Sequence, residues 1–141
     1  MAETLPKDFQ KIADKYYVSL FDHLPGNPAE RLKLGIEIAP KYTKALEEHR
    51  AKVLFDGALD DKTKQLFCVA FLAARASAGT YFHAKAARKF GATWEELHKV
   101  VEIAAFFTGF SAINEGGQAL VRLYKEEQGA KSKKNGARKK K

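Results

Sequence analysis

The sequence predicts an all-α protein, a single-domain helical bundle of six or seven helices. Three observations carry this. Apolar residues recur three and four positions apart along most of the chain, the spacing of one helix face, and no stretch alternates as a strand does. Proline is scarce, at 4 residues, and alanine-rich runs are common, both of which favour helix. Cap and stop residues separate the periodic stretches. At 141 residues the chain fits one domain able to close a core without disulfide or metal.

The elements follow in order. Thr4 is placed to cap a first helix, with Pro6 and Asp8 in its opening turn, and Phe9, Ile12, Ala13, Tyr16, Tyr17 and Leu20 keep helical spacing. Leu24-Pro25-Gly26-Asn27-Pro28 breaks the chain, and Asn27-Pro28 should start a short second helix to about Ile38. Pro40 restarts it, with Tyr42, Ala45, Leu46, His49 and Val53 on one face, where His49 is expected in packing or an interface, and Asp56-Gly57 stops it. After Asp60-Asp61, residues 63–75 form the most apolar helix. Its apolar residues lie on nearly all sides, which implies burial within the domain or between subunits. A kink near Ser77 to Gly79 leads into a helix over 77–90, closed by Gly91. Thr93-Trp94-Glu95-Glu96 is a capping box opening the next helix. The last runs over 111–127, with Gly116-Gly117 a soft spot and Gly129 its end.

The formal net charge of +8 is unevenly spread. Residues 131–141, KSKKNGARKKK, hold seven Lys or Arg and no acid, so residues 1–130 are close to neutral. The expected organisation is a helical domain over 1–130 and a disordered basic tail over 131–141. Such a tail can contact nucleic acid through phosphates, but it lacks aromatics for base stacking. The single cysteine, Cys68, has no internal partner and suits a reducing compartment. Residues 1–10 include Glu3, Lys7 and Asp8 and do not read as a signal peptide, so a cytoplasmic location is expected. No apolar run reaches the ~18 residues of a membrane helix.

Residues 58–110 have a distinctive layout. A Gly57-Ala58-Leu59-Asp60 lead precedes a buried helix, then a helix with one central histidine, His83. Gly91-Ala92-Thr93-Trp94-Glu95-Glu96-Leu97 and another apolar helix follow. This resembles the carboxymuconolactone decarboxylase and alkyl hydroperoxidase D-like family, whose lead-in Ala39-Pro40 also resembles. The resemblance implies an all-helical fold, assembly into trimers or hexamers, and pockets near subunit contacts. Peroxidase members carry Cys-x-x-Cys with a histidine four residues after the second cysteine. With that histidine on His83, the cysteine positions fall on Ala76 and Gly79, and the family's upstream glutamate falls on Lys64, beside Gln65. The thiol pair and relay acid of a peroxidase are absent. Decarboxylase members also lack the cysteines, but many carry an acid one turn before the histidine, where this chain has Gly79.

His83 is the candidate catalytic residue, as a general acid or base, with Lys64, Gln65, Ala76 and Gly79 as the candidate substrate pocket. Ala76, Gly79, Ala87 and Phe90 are expected to share its helix face. His83 also reads as a buried histidine satisfied by its surroundings. Cys68 reads as inert core. His98 and Glu102, four apart, make a weak metal signal, and neither a metal nor a cofactor is expected. His23 should meet a helix C-terminus. No phosphate loop, dinucleotide fingerprint or serine elbow is present in the sequence. Phe67, Phe71, Phe106, Phe107 and Phe110 are more aromatics than one thin bundle hides, which points to a homo-oligomer. Two functions stay open: a thiol-independent enzyme acting on a small organic acid or lactone, or a non-catalytic oligomer that binds a ligand or partner.

Overall fold

The computed structural model describes residues 5–138. The expected Thr4 cap and Lys139 to Lys141 lie outside them. Among the described residues there are seven helices and no strand. Helix α1 runs through Lys7–Ala13, a π turn over Asp14–Val18, and Ser19–Phe21. Then come α2, Gly26–Ile38; α3, Pro40–Phe55; α4, Asp61–Ala74; α5, Gly79–Lys89; α6, Trp94–Thr108; and α7, Ser111–Arg138. The chain divides into two compact units, Met1–Asp61 and Lys62–Lys141.

In the first unit the π turn buries two successive residues, Tyr16 and Tyr17, whose rings meet edge to face at 4.6 Å. A π turn takes up one residue more than an α turn, so the register of the buried face shifts within it. Helix α2 begins at Gly26 behind Pro25, with no side-chain cap, one residue before the expected Asn27. On α3 the Tyr42 and Val53 side chains are exposed, so that face is not packed within the chain, and the buried residues are Thr43, Glu47 and Ala51. Hydrophobicity did not reveal the packed face because a buried carboxylate occupies its centre. His23 Nδ1 lies 2.8 Å from the Phe21 carbonyl, so it does meet the end of its helix.

In the second unit Val69 and Ala73 of α4, Ala84 and Ala87 of α5, Leu97 and Val101 of α6, and Leu120 and Leu123 of α7 form one apolar core. Gly116, expected to be soft, is a tight crossing. A Cβ there would stand 2.8 Å from Val101 Cγ1 and 3.0 Å from Ala73 Cβ. Arg88 holds α7 against α5, its Nε 3.0 Å and its Nη2 3.1 Å from the two Glu127 carboxylate oxygens. Tyr81 donates to Glu126, and the Arg122 guanidinium sits 3.9 Å from the Tyr81 ring centroid. The expected end of α7 at Gly129 is also corrected, since the helix continues to Arg138. Gly129 weakens a helix by about 1 kcal/mol relative to alanine, which is not enough to stop one.

The two ends of α5 explain its placement. It closes on Gly91, φ +90°, where Gly91 N–H donates to Arg88 O at 3.0 Å and Ala92 N–H to Ala87 O at 2.9 Å, the paired bonds of a Schellman stop. Helix α4 closes the same way. Ala76 N–H donates to Ala73 O and Ser77 N–H to Leu72 O, both at 2.9 Å, with Ala76 at φ +48°. The residue in the left-handed position is here an alanine. Ser77 Oγ then accepts from Gly79 N–H at 3.2 Å and starts α5. The Thr93–Glu96 capping box opens α6 as expected, Glu96 N–H reaching Thr93 Oγ1 at 3.1 Å and Thr93 N–H reaching Glu96 Oε2 at 2.8 Å.

Candidate functional site

His83 sits one turn into α5 and is half-buried. Its Nδ1 lies 2.8 Å from Oε1 of Gln65 on α4. With the amide in that orientation the ring nitrogen is the donor, which fixes a neutral imidazole as the Nδ1–H tautomer and puts the lone pair on Nε2. Gln65 is wholly buried, and its Nε2 has no hydrogen-bond partner. Lys64, adjacent on α4, is buried as well. Sequence reasoning placed the acid of the peroxidase relay on Lys64. The residue 2.8 Å from the ring is the next one, and it carries a neutral amide.

The other expected pocket residues are arranged differently. Ala76 lies before α5, in the exposed turn that stops α4, so it does not share the helix face of His83. A helix continuing back to that position would have had to run through the Schellman stop. Gly79 is the first residue of α5, and a Cβ on it would meet Leu72 Cδ1 at 3.3 Å, so that side is occupied by packing. Phe90 follows the end of α5, and Ala87 is buried in the core. Cys68 is partly buried, and burial pushes its thiol above the usual range. His98 Nδ1 lies 3.0 Å from Glu102 Oε1, and Lys99 bonds the same carboxylate. Lys99 first, and then His98, hold Glu102 below the usual carboxylate range. The pair is a surface ion-pair cluster, and no group of three metal-ligating side chains occurs among the described residues.

One polar centre was not legible in the sequence. In the first unit Glu47 is 1 % exposed. Its Oε2 accepts from the Tyr17 hydroxyl at 3.0 Å, and its Oε1 accepts from Arg31 at 2.6 Å. The Tyr17 oxygen accepts in turn from Arg31 at 3.0 Å and Arg50 at 2.7 Å. Burial raises the Tyr17 phenol above its usual range, opposed by Arg50 and reinforced by Glu47. Both Glu47 oxygens and the Tyr17 hydroxyl are bonded within the cluster, as in a structural lock. The one available sequence signal was polar residues Thr43 and Glu47 at helical spacing with Ala51.

A family model, the carboxymuconolactone decarboxylase family, matches residues 40–121, more than half of the chain. The chain belongs to the carboxymuconolactone decarboxylase family. The match begins with α3 and ends within α7, so it takes in Gln65, His83 and the capping box of α6. No curated protein and no solved structure is similar enough to the chain to count as a match. The family's all-helical character agrees with the observed fold. No helix among the described residues is long and apolar enough to cross a membrane.

Proposed function

We propose that this chain is a thiol-independent enzyme of the carboxymuconolactone decarboxylase family, acting on a small organic acid or lactone with His83 as acid/base. The observation that carries the reading is the 2.8 Å contact between His83 Nδ1 and the buried Gln65 carbonyl oxygen. A ring held in this way keeps its Nδ1 proton, so proton exchange with a substrate falls to Nε2. In a decarboxylation the bond between carbon and carboxylate breaks and carbon dioxide leaves. The electron pair passes into an adjoining unsaturated carbonyl, and His83, having taken up a proton from solvent at Nε2, delivers it to carbon. Peroxide reduction by thiolate attack is disfavoured, because Ala76 and Gly79 carry no sulfur and burial holds Cys68 in its thiol form. The scheme needs no metal or cofactor and suits a cytoplasmic enzyme. The test is carbon dioxide release or ring opening across a panel of small unsaturated lactone acids. His83→Ala should lower kcat/KM by about 100-fold or more. Equal turnover by the two proteins would sink the reading.

The second reading is a non-catalytic homo-oligomer. It is favoured by the exposed aromatics of the second unit: Phe67, Phe71, Phe106, Phe107 and Phe110 are 51, 66, 83, 78 and 84 % exposed. Apolar residues so grouped in sequence and so open to water are the material of a protein–protein interface. Assembly into a trimer or hexamer fits both readings. Light scattering at micromolar concentration should report a mass above that of a dimer, and a monomer mass would remove the assembly. Nucleic-acid contact, in either reading, belongs to the basic segment 131–141.

A further inference from the structure

We propose that the side-chain N–H pair of Gln65 is a recognition donor for an acceptor oxygen, either the carboxylate or the lactone carbonyl, of the small molecule on which His83 acts. The identity of that molecule rests on the acid/base reading of His83; the binding role of Gln65 does not. Gln65 is 0 % exposed, its Oε1 is engaged by His83 Nδ1, and its Nε2 is buried without an acceptor. A buried donor left unmet costs about 1–3 kcal/mol, and native structures seldom keep one unless a ligand or water meets it. An amide nitrogen only donates, so what meets it must offer a lone pair. A carboxylate side chain in the same place would offer no donor and would repel an anion. The amide therefore couples two tasks in one residue, holding the His83 ring through its oxygen and a substrate oxygen through its nitrogen. This makes Gln65 a binding and specificity residue rather than part of a proton relay.

The test uses the full chain labelled with 13C and 15N, with the Gln65 side-chain resonances assigned in the wild type by through-bond correlation to its backbone. Acetate serves as the carboxylate probe and γ-butyrolactone as the neutral carbonyl probe. The Gln65 amide resonances should move saturably with at least one of them, and which one moves them identifies the oxygen. Gln65→Met should weaken that binding on the order of tenfold, and Gln65→Glu should abolish acetate binding. His83→Ala should still bind the probe. Turnover lost in His83→Ala with binding kept supports both readings. Turnover unaffected by His83→Ala with the Gln65 response intact sinks the catalytic reading alone. Gln65 resonances that ignore both probes would overturn the inference and leave a water as the occupant. So would 15N shifts showing His83 Nδ1 unprotonated, because the amide would then be reversed and its oxygen would be the unmet atom. These wild-type measurements stand even if Gln65→Met folds poorly.

Discussion

Ala76 occupies a backbone conformation that glycine adopts freely and alanine does not. At φ +48° its Cβ crowds the following carbonyl, at about 1–2 kcal/mol for an L-residue. The methyl group gives little back, since Ala76 is exposed. Ala76→Gly should relieve the strain while giving the unfolded chain more freedom, which costs about 0.4–1 kcal/mol. The net expectation is a stabilisation of about 0.5–1 kcal/mol, or roughly 2–3 °C in Tm for a chain of this size. Gly91 supplies the control. It fills the same place in an identical set of bonds at the end of α5, at φ +90°, so Gly91→Ala should destabilise by about 1 kcal/mol or more. Melts of the two variants and the wild type, followed by far-ultraviolet circular dichroism in one buffer, should straddle the wild type. A Tm for Ala76→Gly at or below the wild type would refute the reasoning, because it would mean that the α4 stop is not strained in solution. Strain retained next to a site is often tied to its work, so the activity of Ala76→Gly, read beside its melt, says whether the turn matters to His83.

Glu47→Ala should lower stability by about 3 kcal/mol, because it leaves the Arg31 and Tyr17 donors without their acceptor; denaturant titration reads this, and a loss under 1 kcal/mol would contradict the lock. The raised Tyr17 phenol means that the folded chain holds this proton more tightly than the unfolded chain, so its contribution is full below about pH 10 and is lost as pH rises through the folded value. Tyr17→Phe should flatten that alkaline slope in melts taken from pH 9 to 11. Cys68, raised by burial, should react with iodoacetamide at pH 8 several-fold more slowly than glutathione, and Cys68→Ala should leave any turnover unchanged; fast alkylation would restore the thiol to consideration. Truncation after Ala130 should change stability by less than about 0.5 kcal/mol and remove any salt-sensitive nucleic-acid binding, whereas binding that survives would place a site on the helical units.

The sequence was most readable where a local rule acts alone. The Thr93 to Glu96 box and the Gly91 stop depend on neighbours three or four residues away, and each is where the sequence put it. It was least readable where distant residues meet. The polar face of α3 makes sense only once Tyr17 and Arg31 are beside Glu47. The turn before α5 was hidden because an alanine sits where a glycine would have announced a stop. Gly116 carries no sign in the sequence of Val101 and Ala73 pressing on it. At the candidate site, spacing led to Lys64 and the fold to Gln65, one residue on. A helix turns through about 100° per residue, so a one-residue difference in alignment changes which side chain faces His83.

The reach of α7 separates two electrostatic regimes. Arg88 grips the helix at Glu127, and the helix then goes on to Arg138, a span of about 16 Å at 1.5 Å per residue. The Debye length at physiological ionic strength is about 8 Å. Charge near the tip of the extension is therefore screened from the Glu126 and Glu127 contacts by about two such lengths, and the exposed Lys131, Lys133 and Lys134 lie along the way. A polyanion gathered at the tip would leave the titration of Tyr81 and the grip of Arg88 unchanged, so the extension acts as an electrically independent arm.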